Sequence, residues 1–173
     1  DQQADMLLEL LPEAQNVGIL YCSAEANSVY QADVVKAALE EKGVTVTVYT
    51  FADSNDVATV TQTACAENDA LYIPTDNTAA SCTEAINNVA EPAGVPIVAG
   101  EEGICKGCGI ATLSIDYYEL GKTTGAMAAK ILTGEANVSE MPIEYYQNPV
   151  KKYDVARCEA LGITVPADYV AIG

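Results

Sequence analysis

The stretch ALYIPTDNTAASCTEAINNVAEPAGVPIVAGEEG, residues 70–103, indicates the fold of this chain. Its two apolar runs, residues 70–74 and 95–99, are typical of buried strands, and a helical pattern over residues 78–90 separates them. A polar motif follows each run, TDN after the first and GEEG after the second. Small ligands bind at the carboxyl ends of the strands in open parallel α/β sheets, so these two motifs are the first candidates for a site.

The same alternation of strand and helix extends toward the amino terminus. Short apolar runs predict strands at residues 17–21 and 44–49, and the second run is β-branched at nearly every position. Helical spacing of apolar residues predicts helices at residues 29–42 and 56–66. The order of these elements predicts a parallel sheet with right-handed crossovers, in a three-layer α/β/α, Rossmann-like (flavodoxin-like) fold.

Both ends of the chain are predicted to lie outside this alternation. A helix over residues 5–11 precedes the first strand and ends at Pro12. A peripheral strand at residues 109–115 leads into a helix over residues 117–133, one face of which is made of small Gly and Ala residues. Beyond that helix we predict two extended segments and a helical turn, at residues 141–146, 152–155 and 157–161.

The charge balance excludes some classes of partner. The chain has 173 residues, 50% of them hydrophobic, with 25 Asp and Glu against 8 Lys and Arg and a net charge of -17. Nucleic acids and anionic lipids are bound through Lys and Arg, which are scarce here, so we predict no nucleic-acid partner. No apolar run reaches the ~20 residues that a membrane span requires. The start of the sequence lacks the pattern of a secretory signal, as expected of a cytosolic chain or of one whose signal has been removed.

Six cysteines and no histidine narrow the chemistry further. Without histidine the chain lacks the commonest general base and the commonest zinc ligand. Cys105 and Cys108 have the spacing of a thiol redox pair or of half a zinc site, but a second pair at suitable spacing is missing. A redox pair normally opens a helix after a strand, whereas this pair lies in a predicted Gly-rich loop between strands. We therefore interpret both as loop cysteines, able to close a small disulfide, and predict no metal site.

Catalytic and cofactor signatures are missing from the predicted loops. The Gly-rich fingerprint of dinucleotide binding does not follow the first strand, and no phosphate loop with a GK[ST] motif occurs. Ser23 and Thr75 have no histidine or well-placed lysine to activate them, which argues against a hydrolase. Glu101 and Glu102 are adjacent and point in opposite directions, so they do not face each other as a glycosidase pair would. We predict neither an enzyme nor a bound cofactor.

The polar loops allow two interpretations. Helix-entry loops such as residues 23–28 and 75–77 bind carboxylates or phosphates through free amide groups. A carboxylate of residues 100–103 that points into a cleft can pair with an ammonium group. Helix capping, for example by Asn27 or Ser28, and solvated turns explain the same composition equally well.

Several segments of the sequence resemble one protein family. They are VGILYCSAEANSV (17–29), DALYIPTDNTAAS (69–81), VPIVAGEEG (95–103) and SIDYYELGKTTGAMAAKILTGE (114–135). The tail MPIEYY, followed later by ALGITVPADYV, resembles the ending of the same family. These are the substrate-binding proteins of ABC transporters, in the branch associated with tryptophan, tyrosine and similar amino acids. The resemblance spans nearly the whole chain.

The resemblance implies one lobe of a type I periplasmic binding protein fold, in which two α/β lobes close on a ligand. This chain corresponds to the second half, as a single lobe over residues 1–173. Within it we expect a hinge-crossing helix at residues 1–16, a core lobe at 17–115 and a returning helix with the C-terminal segment at 116–173. The first lobe would then be a partner, and the small-residue face of the returning helix would pack against it, be exposed or pair with a second copy in a homodimer.

Carried over by position, the resemblance also implies a ligand cleft. Glu101 or Asp76 would pair with the α-ammonium group of the ligand, and the helix start at Asn27 and Ser28 would hold an anionic group. An aromatic ligand would stack mainly on rings of the other lobe. The expected ligand-binding residues are Ser23, Glu25, Ala26, Asn27, Ser28, Thr75, Asp76, Asn77, Glu101 and Asp116.

The sequence therefore predicts the solute-binding component of an ABC importer, which binds an amino acid-like ligand, aromatic ones included, and delivers it to a permease in the membrane. Such a protein is extracytoplasmic, either as a cell-surface lipoprotein or in the periplasm. The alternative is a stand-alone flavodoxin-like signalling or cofactor-binding domain, for which the sequence offers no phosphate loop. A third interpretation is a truncated lobe that assembles as a dimer.

Overall fold

A computed structural model describes residues 2–172, and the strands of this part of the chain form one seven-stranded sheet. In chain order they are β1 (Asn16–Cys22), β2 (Thr45–Phe51), β3 (Ala70–Ile73), β4 (Ile97–Ala99), β5 (Ala111–Ser114), β6 (Val150–Tyr153) and β7 (Val170–Ala171). Their order in the sheet is β2-β1-β3-β4-β5-β6-β7. Strands β1 to β5 pair in parallel, β6 is antiparallel to β5, and β7 is parallel to β6.

Helices connect these strands and cover both faces of the sheet. Within residues 2–172 they are α1 (Gln2–Leu10), α2 (Ala26–Glu41), α3 (Val57–Glu67), α4 (Asn77–Ser81), α5 (Thr83–Ala93), α6 (Glu102–Cys108), α7 (Tyr117–Leu132) and α8 (Val155–Ala160). The alternation of strands and helices from β1 to β5 confirms the predicted α/β fold with a parallel sheet. Asp1 and Gly173, the outer limits of the predicted lobe, lie outside the described residues.

Two apolar cores lie on opposite faces of the sheet, which makes the domain three layers thick. Side chains of β1 alternate between them, because Val17, Ile19 and Tyr21 pack under α1 and α2 while Leu20 and Cys22 pack under α3 and α6. Six of the seven residues of β1 are buried, as expected of a strand that is covered on both faces. Among residues 2–172, no helix is both long and apolar enough to cross a membrane.

The single helix predicted at residues 78–90 is wrong, because the chain forms two helices that meet at Cys82. The shorter one, α4, contacts β1 and α6, whereas α5 packs mainly against α3 and α6. One straight helix could not make both sets of contacts. The predicted start of the second helix is also too late, since α2 begins at Ala26 and Glu25 is its N-cap residue. Asn27 and Ser28 therefore lie in the first turn of α2 and do not cap it.

The predicted Gly-rich loop around the cysteine pair is also wrong, because residues 102–108 form helix α6. Gly103 and Gly107 lower the intrinsic helix propensity, but packing and capping override it. A Cβ atom at Gly107 would lie 2.3 Å from the side chain of Thr83 at the start of α5. The glycine therefore permits two helices to approach closely and does not mark a loop.

The C-terminal region differs from the prediction in detail. The extended segment predicted at residues 141–146 lies in no strand of the described chain, and the strand predicted at 152–155 is β6, two residues earlier. The helical turn predicted at 157–161 is α8, which begins at Val155. Sequence alone placed these short elements poorly because their few apolar residues show no clear period.

Candidate functional site

The sheet brings three loops together at one edge. We call them the edge loops: residues 23–28 after β1, residues 75–77 after β3 and residues 100–103 after β4. Since β1, β3 and β4 are parallel neighbours in the sheet, their carboxyl ends lie side by side. This is the arrangement that the sequence predicted from its two strand-end motifs.

Asp76 is the buried centre of the edge loops. Its side chain is 1% exposed and accepts hydrogen bonds from the amide of Ala79 at 2.7 Å, the amide of Cys22 at 2.9 Å and the hydroxyl of Ser28 at 2.7 Å. The first bond caps α4, and the other two join β3 to the loop after β1. The carboxylate is thus committed to holding two loops together, because a buried charge needs these donors.

Glu25 joins the same two loops from the other side. Its carboxylate accepts bonds from the amides of Asn77 and Thr78 at 2.9 and 2.8 Å, and from their side chains at 3.1 and 2.8 Å. Partial burial raises the pKa of the Glu25 carboxyl, but these four hydrogen bonds outweigh that effect and the net pKa is lowered. The side chain of Glu25 therefore points away from its own helix α2, and its negative charge stabilises the positive end of the helix dipole at the first turn of α4.

Thr75 connects all three edge loops. Its carbonyl accepts a bond from the amide group of Asn27 at 2.8 Å, and its hydroxyl donates to the carbonyl of Gly100 at 3.3 Å. Its backbone amide donates to the side-chain oxygen of Gln31 at 3.1 Å. A Cβ atom at Gly100 would lie 2.6 Å from the amide nitrogen of Thr75, so the two loops touch through their backbones.

Glu101 and Asp116 cap helices at the same edge. Glu101 is the N-cap residue of α6 and accepts bonds from the amides of Gly103, at 2.8 Å, and Ile104. Asp116 is the N-cap residue of α7 and accepts from the amides of Tyr118 and Glu119 at 2.9 and 3.1 Å. Unlike Asp76, both are accessible, Glu101 being half-buried and Asp116 exposed. A carboxylate has about four acceptor positions, so each retains capacity for a further donor.

The remaining predicted residues occupy less central places. Ser23 is exposed and bonds through its amide to the carbonyl of Phe51 at the end of β2, at 3.0 Å, away from the other two loops. Ala26 and Asn77 are exposed on the surface of the edge loops. Sequence reasoning missed Gln31, which lies one turn after Asn27 on α2. The i, i+4 spacing of these two amide side chains was the available signal.

Helix α7 differs from all other long helices because none of its residues is buried in the described chain. Gly121 and Gly125, on its predicted small-residue face, have no described atom within 4 Å of a Cβ position. Tyr117, the first residue of the helix, is 56% exposed. Partial burial and the nearby charge of Glu101 raise the pKa of its hydroxyl. The helix therefore begins at the edge loops and presents an uncovered face.

The cysteines are structural. All six are buried free thiols in the described residues, so the small disulfide considered for Cys105 and Cys108 is not formed. Burial raises the pKa of both thiols, that of Cys108 to about 12, which makes them poor nucleophiles. Within residues 2–172, no group of three or more His, Cys, Asp and Glu side chains is placed to hold a metal ion.

A mostly parallel α/β sheet with interlocked loops at the carboxyl edge is the architecture of periplasmic binding protein-like domains. The chain belongs to the family of ABC transporter substrate binding proteins, whose family model matches residues 1–171. This confirms the predicted resemblance and favours it over a flavodoxin-like signalling domain. Proteins of the family are solute receptors rather than enzymes, and they are extracytoplasmic.

Three known proteins show how close the similarity is. A tyrosine-binding protein of Clostridioides difficile is 29% identical over 143 residues, which is 83% of this chain and 41% of that protein. The ABC domain in complex with L-Trp from Streptococcus pneumonia superposes with a TM-score of 0.87 at 29% identity, over 96% of this chain and 56% of the other. A ligand-free, open substrate binding protein with adhesive properties from Clostridium difficile gives a TM-score of 0.79 at 30% identity, over 100% of this chain and 60% of the other. The chain thus spans about half the length of these relatives.

Proposed function

We propose that this chain is the second lobe of a two-lobed receptor that binds an L-amino acid, aromatic ones included, and delivers it to an ABC permease. The main support is the match to the family of ABC transporter substrate binding proteins, which covers residues 1–171 and so includes the edge loops. Relatives that bind tyrosine and tryptophan support an amino acid as the ligand. The proposal includes attachment to the cell surface as a lipoprotein or residence in the periplasm.

The first turn of α2 is the best candidate for the carboxylate of the ligand. Because Glu25 turns its side chain toward Asn77 and Thr78, the amides at the start of this 16-residue helix are not capped by it. An uncapped helix start of this length attracts an anion through its amides and its dipole. Ala26 and Asn27 are both exposed there.

Glu101 is the better of the two candidates for the α-ammonium group. Asp76 is 1% exposed and its carboxylate already accepts three bonds, so it positions the loops instead of facing the ligand. Glu101 is half-buried, uses only two acceptor positions and lies near Tyr117. Asn77, Thr75, Ser23 and Asp116 would line the rest of this wall, and the first lobe would supply the other wall.

Isothermal titration of the two-lobed protein tests this assignment with matched ligands. We expect L-tyrosine and L-tryptophan to bind, while tyramine, which lacks the carboxylate, and 3-(4-hydroxyphenyl)propionate, which lacks the ammonium group, bind far more weakly. Glu101→Gln keeps an oxygen that can cap α6 but removes the charge, so it should weaken L-tyrosine binding at least about tenfold. Absence of heat with every amino acid would refute the proposed ligand class.

Delivery to a permease is tested separately from binding. Cells that carry the gene should take up labelled amino acid faster than cells in which only this gene is deleted. The Glu101→Gln variant should restore uptake poorly while a surface variant such as Lys36→Gln restores it fully, because the ion-pair partner of Lys36 in the described part of the chain is Glu40, one turn further along α2. Equal uptake in all strains would contradict a role in import.

A further inference from the structure

Glu102 contacts both strands through which the chain leaves and re-enters the sheet. Its carboxylate accepts a bond from the hydroxyl of Ser114 at 3.1 Å and lies 2.6 Å from the ammonium nitrogen of Lys152. Ser114 is the last residue of β5, and Lys152 lies in β6, the antiparallel neighbour of β5. We call these three residues the Glu102 cluster.

Between β5 and β6 the chain forms one long connection, residues 115–149, which we call the detour. Residues 115–149 contain α7, none of whose residues is buried in the described structure, and they contribute no strand to the sheet. A cavity of about 330 Å³ lies where this connection begins and ends, between residues 115–117 on one side and Tyr146 and Val150 on the other. Glu102, Ser114 and Lys152 line its inner wall.

The Glu102 cluster adjoins Glu101, the residue proposed to bind the ammonium group of the ligand. Glu102 is the first residue of α6, and the preceding residue, Glu101, caps that helix through the amides of Gly103 and Ile104. Ser114 and Lys152 lie in the paired strands β5 and β6, at the two ends of residues 115–149, so a movement of these strand ends would reach Glu102 and the first turn of α6 together. Both side chains of the Glu102–Lys152 pair are 29% exposed, so solvent screens this pair less than a surface ion pair.

A neighbouring lysine provides a natural comparison. Lys151 points to the opposite face of β6, where it pairs with Glu9 of α1 at 2.7 Å and with Asp168 at 3.0 Å. It carries the same charge on the same strand but contacts the layer that is remote from α6. Substitution of Lys151 would remove the contacts of β6 with Glu9 and Asp168 but would leave the edge loops unchanged.

We propose that the Glu102 cluster is a mechanical link that transmits the position of the 115–149 detour to the first turn of α6. Lys152 and Ser114 are then positioning residues for Glu101. The link itself is a property of this chain, and its relevance to ligand binding rests on the proposed function. In that setting, movement of the detour with the other lobe would set the orientation of the carboxylate that meets the ammonium group of the ligand.

Hydrogen exchange at single-residue resolution tests the link on the chain without any ligand. The amides of Gly103 and Ile104 bond to Glu101, so their exchange rates report its position directly. We expect Lys152→Met to accelerate their exchange about fivefold, Lys152→Arg to restore it, and Lys151→Met to leave it unchanged while accelerating exchange in α1. Unchanged exchange at Gly103 and Ile104 in Lys152→Met, or an equal effect of Lys151→Met there, would overturn the proposal.

Titration of the two-lobed protein then tests its functional part. If the wild type binds L-tyrosine or L-tryptophan, Lys152→Met should weaken binding about fivefold at an unchanged melting temperature, and Lys151→Met should not. Equal affinities for both variants would show that the link does not reach the ligand. If the wild type binds neither amino acid, the proposed function fails, and the exchange experiment alone decides whether the link exists.

Discussion

Two helices of this domain, α4 and α7, both begin with a capping aspartate, but the two aspartates differ in their burial and in the residues they contact. Asp76 caps α4 and Asp116 caps α7, each by accepting bonds from amides of the first turn. Asp76 is 1% exposed and also bonds to Cys22 at the end of β1 and to Ser28 in the first turn of α2. Asp116 is exposed, and within residues 2–172 its side chain bonds to amides of its own turn. A cap therefore starts a helix in both cases, but only contacts between loops make the edge loops a rigid wall.

Alanine substitutions at the two capping residues give the largest expected difference. Asp76→Ala removes three acceptor bonds and leaves the buried hydroxyl of Ser28 and the amide of Cys22 without that partner, so we expect a loss of about 3 kcal/mol in the free energy of unfolding. Asp116→Ala removes an exposed cap and should cost about 1 kcal/mol at most. Urea unfolding followed by circular dichroism measures both.

Asp76→Asn is the control for the charge of that carboxylate. Its side-chain oxygen still accepts one or two of the bonds, so it should lie between wild type and Asp76→Ala. If Asp76→Ala and Asp116→Ala destabilised the protein equally, contacts between the loops would not be the source of the difference.

A pair of glycines extends the comparison to backbone packing. Gly100→Ala would place a Cβ atom 2.6 Å from the amide nitrogen of Thr75, and separating the two backbones should cost about 1–3 kcal/mol. Gly121→Ala on α7 meets no described atom within 4 Å and should stabilise the helix by up to about 1 kcal/mol, because alanine has the higher helix propensity. Melting temperatures of the two variants should therefore shift in opposite directions. A lower melting temperature for Gly121→Ala would mean that its face is covered.

The contrast also explains how far the sequence could predict this molecule. The alternation of strands and helices and the parallel sheet followed from the apolar runs, because these depend on local patterns and on rules for parallel sheets. The partner of Glu25 could not be predicted, since its carboxylate caps a helix more than fifty residues away in the chain. Helix α6 was missed because Gly103 and Gly107 are typical of a loop, and neither the cap from Glu101 at Gly103 nor the contact of Thr83 with Gly107 can be read from the sequence.

Acid should weaken the contact that Glu25 makes between two of the edge loops. The pKa of Glu25 is lowered from its ordinary value of 4.5, so its contribution to stability is complete above that value and is lost as the pH falls through the lowered pKa. Because Glu25 is partly exposed, we expect Glu25→Gln to cost only about 0.5–1 kcal/mol at pH 7. The difference in stability between the two proteins should shrink as the pH falls through the lowered pKa of Glu25 and the carboxylate becomes protonated. Urea unfolding from about pH 2.5 to 7 measures this convergence, and a difference that stays constant would contradict it.

The smallest expected change in stability concerns the exposed face of α7. Its size should depend on whether a first lobe covers that face in the two-lobed protein. Leu132 is 86% exposed, so Leu132→Ser should change the stability of residues 1–173 by no more than about 0.5 kcal/mol. If α7 packs against a first lobe, as the proposed function implies, the same substitution in the two-lobed protein would remove a buried side chain and cost about 2–3 kcal/mol. Unfolding of both proteins, with Ile143→Ser as a control at a side chain that is 77% exposed, separates the two cases. A cost confined to the two-lobed protein would show that α7 is exposed here because its covering surface belongs to another part of the molecule, whereas equal small costs would leave α7 a solvent-facing helix in both.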